Sequence, residues 1–416
     1  MTLPGPLVVV GPDDARAVRV RRRNHATVPT EMPWEPPPLP PRVGINAIFL
    51  EPRMGGLDTY VRALMGELVR LAPDTAFRVY CSPGGREYLK GESWADAVEL
   101  VVKPIIGTRG LKAVSELTAL GVIAGREVDL LHSVALTAPL RTRAVNVVTL
   151  ADLTWIVAPD PGEAGTVRLW RAVVPTVARR ADRVLALSRA GADHVVEFLH
   201  VPRERIDVVP LAAGTTDLLA PSPADELRAK FGLGDGPVVL TVSAKKVNKN
   251  LLRLVEAMAS VVERLPGATL VMPGNPTPHE RELRALTEKL GLTRNIVFLD
   301  YVSGEDLEGL YALAGCFVFA SINEGFGIPI LEAMRRGVPV ACSRASALPE
   351  VAGDAALYFD PYDVEAIAGA IASMLGDGVL RASLSALGRE RERQFTWTAA
   401  AQGTLESYAR AWRERL

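Results

Sequence analysis

The sequence predicts an α/β protein made of two doubly wound, mostly parallel sheets, and three observations carry that prediction. Its 416 residues are too many for one ordinary hydrophobic core and suggest two domains of somewhat under about 200 residues each, while 48% hydrophobic residues suffice to fill both. Short apolar runs of strand length recur along the chain with helical segments between most of them, the alternation that gives parallel sheets covered by helices. Between Pro210 and Pro223 the stretch P-L-A-A-G-T-T-D-L-L-A-P-S-P interrupts this alternation with Pro, Gly and small polar residues, as an interdomain linker would.

Residues 1–41 stand apart. Five arginines fall between Arg16 and Arg23, and P-W-E-P-P-P-L-P-P runs from Pro33, so the segment reads as a flexible arm kept extended by polyproline geometry. From Arg42 the alternation begins, with a strand over Val43–Leu50. Gly55-Gly56 opens a helix to about Leu71, on which Leu57, Tyr60, Val61, Leu64, Met65 and Leu68 recur at helical spacing. Strands are expected at about Phe77–Cys81, Val98–Lys103, Val128–His132, Val145–Leu150, Val184–Ser188 and Ile206–Leu211, completing a first domain over 42–212. Ligands of such sheets bind beyond the carboxyl ends of strands, and His132 sits at one such end. The segment Val167–Arg180 mixes Arg168, Arg171, Arg179 and Arg180 with Leu169, Trp170, Val173, Val174 and Val177, a basic amphipathic helix that Pro175 is expected to interrupt.

The second domain, 213–395, opens with a strand at Pro237–Ser243, then A-K-K-V-N-K-N and a helix over about Leu251–Leu265, which puts Lys249 just ahead of a helix N-terminus. Strands at Ala268–Pro273 and Ile296–Leu299 alternate with helices at Glu280–Leu290 and Glu305–Ala314, and Ser303 with Asp306 looks like a capping box for the second helix. The most informative stretch follows. Cys316–Ala320 reads as a buried strand, a glycine-rich turn comes next, Pro329 stands where a first helical residue would, and Gly337 suits a left-handed C-terminal cap. Strands at Pro339–Cys342 and Ala356–Phe359, helices from Val364 onward and a last helix from about Thr396 to Arg413 complete the chain.

The amides of Phe326, Gly327 and Ile328 open the helix after the turn, where unpaired N–H groups and the helix dipole favour an anion such as phosphate. Glu324 lies just before the turn and Glu332 about one helical turn inside. A carboxylate offers two acceptor oxygens at roughly the spacing of a sugar or ribose diol, so the ligand described is a sugar, a diphosphate and a ribose. Lys249 would bring an ammonium to the same diphosphate.

E-G-F-G-I-P-I-L-E resembles the Glu-x7-Glu signature of retaining glycosyltransferases of the GT-B fold, most closely glycosyltransferase family 4, the group 1 glycosyl transferases. The resemblance implies two Rossmann-like domains facing an interdomain cleft, with a C-terminal helix, here 396–416, crossing back onto the first domain. Trp397, Leu405, Tyr408 and Trp412 suit that docking. It further implies that Glu324 contacts donor-sugar hydroxyls, that Glu332 holds the ribose, and that Lys249 with Gly325, Phe326, Gly327 and Ile328 binds the rest of the donor. Gly55 and Gly56 resemble the loop that approaches the donor diphosphate and the acceptor, and His132 resembles the family's histidine near the transferred sugar. Asp152, in T-L-A-D-L-T-W, is an acceptor-side candidate in a segment where relatives often carry His-Asp, and Ala151 departs from that pattern. Ala244 is a second departure: family members carry an Arg there, and Lys245 or Lys246 would substitute only without the guanidinium fork.

Composition bounds the rest. A formal net charge of −1 and a pI near 6.6 give no electrostatic reason to invoke nucleic acid. Cys81, Cys316 and Cys342 look like small buried hydrophobes, not a disulfide framework. No run approaches about 18 uninterrupted apolar residues, and the N-terminus lacks a signal-peptide layout, so a cytoplasmic enzyme is the default, with peripheral contact at the inner membrane face through the basic first-domain surface. No Asp-x-Asp occurs and no Cys/His cluster has metal-ligand spacing. The expectation is a retaining, metal-independent transfer, without a cofactor, from a UDP- or GDP-linked sugar to a hydroxyl of a glycan, glycolipid or small natural product. A GT-B glycoside phosphorylase and a catalytically silent nucleotide-sugar-binding partner protein are the competing readings.

Overall fold

The computed structural model describes residues 34–52, 54–102, 115–160, 164–214 and 219–416, so nearly all of the Arg- and Pro-rich arm lies outside the described residues. Within 36–416 the strands form two sheets in which every pairing is parallel. The first holds β1 (Arg42–Ala47), β2 (Ala76–Cys81), β3 (Glu99–Val102), β4 (Leu130–Ser133), β5 (Val145–Leu150), β6 (Arg183–Ala186) and β7 (Ile206–Val208), in the order β3-β2-β1-β4-β5-β6-β7. The second holds β8 (Val238–Leu240), β9 (Thr269–Pro273), β10 (Ile296–Leu299), β11 (Ala314–Phe319), β12 (Val340–Ser343) and β13 (Ala356–Phe359), in the order β10-β9-β8-β11-β12-β13. Strand order reverses between β1 and β4 in one sheet and between β8 and β11 in the other. These are the points where loops from neighbouring strands diverge and leave a crevice.

Several ladders end before the apolar run does. The run Val43–Leu50 pairs only through Ala47, where a turn begins in which the Leu50 amide donates to the Ala47 carbonyl at 3.0 Å, yet Ile48 and Leu50 stay buried. Burial continues where hydrogen bonding between strands has stopped.

The helices that position the cleft are α1 (Gly56–Leu71), α2 (Ala164–Arg180), α3 (Arg189–Leu199), α4 (Leu251–Arg264), α5 (Gly304–Leu313), α6 (Ile328–Arg335), α7 (Leu348–Ala352) and α8 (Trp397–Arg415). Ser303 Oγ accepts from the Asp306 amide at 3.2 Å and caps α5 as expected. The expectation that Pro175 interrupts the basic helix is corrected: α2 runs through it unbroken. Proline removes one amide donor, but Val174 and Val177 on either side are fully buried, so packing holds the turn that the missing bond would weaken.

Helix α8 crosses back and lies on α1 and on β5, β6 and β7. Leu405, Tyr408, Ala409 and Ala411 are buried there. Ser407 Oγ donates to Asp207 Oδ2 at 2.7 Å, and Asp207 is already gripped by Arg183 (Nη2–Oδ1, 2.7 Å). Trp397 Nε1 donates to the Ala213 carbonyl at 2.9 Å, tying the start of α8 to the stretch between the sheets. All three cysteines are buried and unpaired. Among the described residues no single helix is long and apolar enough to cross a membrane.

Candidate active site

Because β8 and β11 are neighbours and parallel, the loops that leave their carboxyl ends start side by side. One carries Lys249, the other Glu324. The two are stitched together before they reach the cleft: the Ile322 amide donates to the Asn248 carbonyl (2.9 Å), and Asn248 Nδ2 donates to the Asn323 carbonyl (3.2 Å). Asn250 is held left-handed at φ 58° while its side-chain amide donates to the carbonyls of Ala320 (3.2 Å) and Pro361 (2.6 Å). Lys249 Nζ ends 2.5 Å from Glu324 Oε1, with both side chains mostly enclosed. Close pairing is what makes such a charge tolerable away from water.

The turn after Glu324 depends on two glycines. Gly327 caps α6 at φ 111°, which side chains disfavour, and a Cβ there would also stand 2.9 Å from Leu348 Cδ2. A Cβ on Gly325 would fall 1.6 Å from the Ala151 carbonyl oxygen and 3.0 Å from Asp152 Cβ, so glycine alone lets this turn touch the first domain. Among the described residues the amides of Phe326, Gly327 and Ile328 have no hydrogen-bond partner, and no side chain caps α6. The helix therefore presents uncompensated donors and the positive end of its dipole. Asn323 Oδ1 is also buried without a partner.

Glu332 lies further along α6. Tyr311 Oη donates to its Oε2 at 3.3 Å, and the Gly214 amide, from the connection between the sheets, donates to the same carboxylate. Burial pushes Glu332 above the ordinary glutamate value, against the pull of Arg336. Arg336 is itself clamped on Glu308 (Nε–Oε2, 2.7 Å), lies 4.5 Å over the Tyr311 ring and donates to the Glu332 carbonyl at 2.8 Å.

On the facing side, Gly55 is left-handed at φ 70°, and the Cβ position of Gly56 lies 3.5 Å from Ile328 Cδ1. Asp152 Oδ1 accepts from the Thr154 amide (2.8 Å), and Thr154 Oγ1 accepts from Asn323 Nδ2 (2.9 Å). Gly56, Asp152, Gly325, Ile328, Lys249 and Glu324 are thus brought together around one cleft. Among the described residues, no group of three or more His, Cys, Asp or Glu side chains is placed to hold a metal ion.

Two expectations are corrected. His132 does not face the cleft. It lies within the β4 ladder, fully buried, with Nδ1 2.7 Å from the Tyr408 hydroxyl and Nε2 2.7 Å from Thr149 Oγ1, which also meets the Tyr60 hydroxyl at 3.0 Å. Burial pushes this imidazole down to about 3, so it is a neutral tie between α8, β5 and α1. Lys245 does not replace the guanidinium missing at Ala244. Its ammonium is fully buried and donates to the carbonyls of Gly274 (2.5 Å) and Leu299, and burial pulls its pKa down. Lys246 is exposed.

Sequence reasoning missed Gly214 and Tyr311, the two donors to Glu332. Gly214 was visible only as loop composition, and Tyr311 only as one apolar residue on a helix.

The profile described as glycosyl transferases group 1 matches residues 223–391, and that of a glycosyl transferase 4-like domain matches residues 55–212. The chain is 33% identical over 265 residues to O-antigen chain mannosyltransferase B of Escherichia coli, covering 63% of this chain and 69% of that protein. It is 29% identical over 361 residues to the GDP-mannose-dependent alpha-(1-6)-phosphatidylinositol monomannoside mannosyltransferase of Mycolicibacterium smegmatis, covering 81% and 90%. The solved structure of sucrose-phosphate synthase from Thermosynechococcus elongatus matches it with a TM-score of 0.70 at 21% identity, over 90% of this chain and 99% of that one, a likeness of fold. Both halves of the chain and the cleft between them thus lead to one assignment, and the protein belongs to the group 1 glycosyl transferases, enzymes of the GT-B fold.

Proposed function

We propose that the protein transfers a sugar from a nucleotide-diphosphate sugar to a hydroxyl acceptor, with retention of configuration and without a metal ion. The observation that carries this reading is the Lys249–Glu324 pair set beside three unpartnered amides at the N-terminus of α6. Lys249 and the amides of Phe326, Gly327 and Ile328 neutralise charge developing on the leaving diphosphate, Glu324 accepts from hydroxyls of the sugar, and Glu332 accepts from the ribose. Gly56 opposite Ile328 and Gly325 against Ala151 keep the cleft narrow, with Gly55 and Asp152 on the acceptor side. The acceptor oxygen bonds to the anomeric carbon on the face from which the phosphate departs, the bond from that carbon to the phosphate oxygen breaks, and that oxygen takes the acceptor's proton.

GDP-mannose is the first donor to test, since one relative is named for it and another is a mannosyltransferase. UDP-linked sugars come second. The same names favour a glycan or a phosphatidylinositol-type glycolipid as acceptor. Arg168, Leu169 and Arg171 on the exposed face of α2 would then rest on anionic headgroups.

The test is calorimetric titration with GDP, UDP and ADP, with and without EDTA, on wild type and Glu332→Ala, followed by transfer assays. One nucleotide should bind regardless of EDTA and weaken more than about tenfold in the variant, and the product should keep the donor's anomeric configuration. Glu324→Ala and Lys249→Ala should each lower transfer by more than about tenfold, because a charged hydrogen bond contributes about 1.5–3 kcal/mol. Near-wild-type transfer in both would sink the assignment. Binding without transfer or donor hydrolysis would favour a silent binder, and phosphate-dependent release of sugar phosphate a phosphorylase.

A further inference from the structure

Helix α3 of the first domain begins at Arg189, and its first amides are all engaged. Ser188 Oγ takes the Gly191 amide at 2.9 Å. The amides of Arg189 and Ala190 donate to Glu350, at 2.9 Å to Oε2 and 2.8 Å to Oε1. Glu350 belongs to α7 in the second domain, so a carboxylate from across the cleft caps this helix. It meets the positive end of the α3 dipole, and Arg189 Nε lies 3.6 Å from Oε2. A cap supplied by the preceding residue survives any domain motion. One supplied by the opposite domain exists only while the cleft is closed.

The turn that leads into α7 also holds the donor turn. Four residues before Glu350, Ser346 adopts a left-handed backbone at φ 52°, and its hydroxyl donates to the Glu324 carbonyl at 2.7 Å. A non-glycine residue kept in that region is strained, and such strain persists where surrounding contacts impose it. The first turn of α3 abuts the same place: the Gly325 carbonyl oxygen stands 4.0 Å from the position of a Cβ on Gly191. Residues 346–350 therefore bridge the α3 N-terminus and the backbone of the residue expected to grip the sugar.

We propose that Glu350 is a positioning residue: by capping α3 when the domains close, it fixes the start of α7 and the turn before it, and through Ser346 it sets Glu324 in register with the donor sugar. Nucleotide binding, held by Glu332 and Lys249, proceeds without it. Alignment of the sugar does not. The consequence for turnover rests on the sugar-transfer reading above, whereas the mechanical coupling does not.

The test is peptide-level hydrogen exchange with steady-state kinetics on full-length wild type, Glu350→Ala and Ser346→Ala. Glu350→Ala should speed exchange in the peptides spanning 188–191 and 321–327, keep nucleotide affinity within about threefold, and lower kcat at least about tenfold with little change in donor KM. Ser346→Ala should speed exchange at 321–327 alone, with a similar loss of kcat. Faster exchange confined to 188–191 in Glu350→Ala, or unchanged kcat in both variants, would overturn the proposal. So would a parallel loss of nucleotide affinity and of protection throughout the second domain, the sign of a merely structural residue. If Glu350→Ala does not fold, Ser346→Ala decides alone. If wild type transfers no sugar, the enzymatic reading fails, and exchange at 321–327 still decides the coupling.

Discussion

His132 and Glu332 are both titratable groups moved by burial, in opposite charge senses and with different consequences. The unfolded chain protonates His132 below its ordinary 6.5, whereas the folded protein holds it neutral down to about 3. The stability carried by the neutral ring is therefore complete above pH 6.5 and is lost as pH falls from there toward 3, by about 1.4 kcal/mol per unit. Thermal melts should show wild type losing stability faster than His132→Gln between about pH 6 and pH 4. Equal slopes would mean that the ring is not kept neutral. Glu332 is shifted upward from its ordinary 4.5, and the ribose-holding role proposed for it needs the ionised carboxylate, which alone can accept from two hydroxyls. Nucleotide affinity should fall as pH is lowered toward a midpoint above 4.5, and Glu332→Gln should bind weakly and without that dependence, by titration calorimetry. The sequence placed His132 at a strand end, but the ladder runs on to Ser133, and the tyrosine that closes over the ring is 276 residues away. A lone histidine in D-L-L-H-S carries no sign of that distant partner.

The most legible element was the strand, turn and helix around Glu324, since each of its parts has a local cause: an apolar run, glycines where φ turns positive, proline at a helix start, glycine at its end. What local causes do not state is which loops meet. Lys249 and Glu324 are 75 residues apart and pair because β8 and β11 are adjacent, a fact of strand order. Pro175 was misread for the same reason, as a local rule was overridden by packing against the sheet. The glycines of the cleft separate backbone strain from domain contact. Gly55→Ala meets nothing within 4 Å and should lower stability by about 1–3 kcal/mol through backbone strain alone, at φ 70° and ψ −138°. Gly325→Ala would overlap the Ala151 carbonyl and force the two domains apart. It should lower turnover at least about tenfold while shifting the melting temperature little, because neither core is disturbed. Calorimetric melts alongside kinetics distinguish the two outcomes, and a Gly325→Ala enzyme of normal activity would show that the observed contact is not needed for transfer.

At the scale of the whole molecule, two sheets could be read from length and alternation, and the return of the last helix to the first domain from the family resemblance, but the contacts by which one domain depends on that helix could not. Helix α8 follows the second domain in sequence and completes the first in space. Asp207 illustrates it: Arg183 holds it from within the sheet, while Ser407 and Arg410 reach it from α8, with Arg410 Nη2 3.1 Å from Oδ1. Each of these residues looks like an ordinary surface charge or hydroxyl when read alone. Tyr408 goes deeper, because its hydroxyl is the partner of His132 Nδ1 and is fully enclosed. Tyr408→Phe keeps the ring but leaves that nitrogen unpaired, which costs about 1–3 kcal/mol for a buried polar group. For a domain of this size the first unfolding transition should drop by roughly 3–10 °C. Nucleotide affinity should hold, since Lys249, the α6 amides and Glu332 all lie in the second domain. Calorimetric melts with and without nucleotide test this directly. If the variant lost nucleotide binding together with first-domain stability, the two domains would be folding as a single unit, and the contacts of α8 would then bear on the donor site as well.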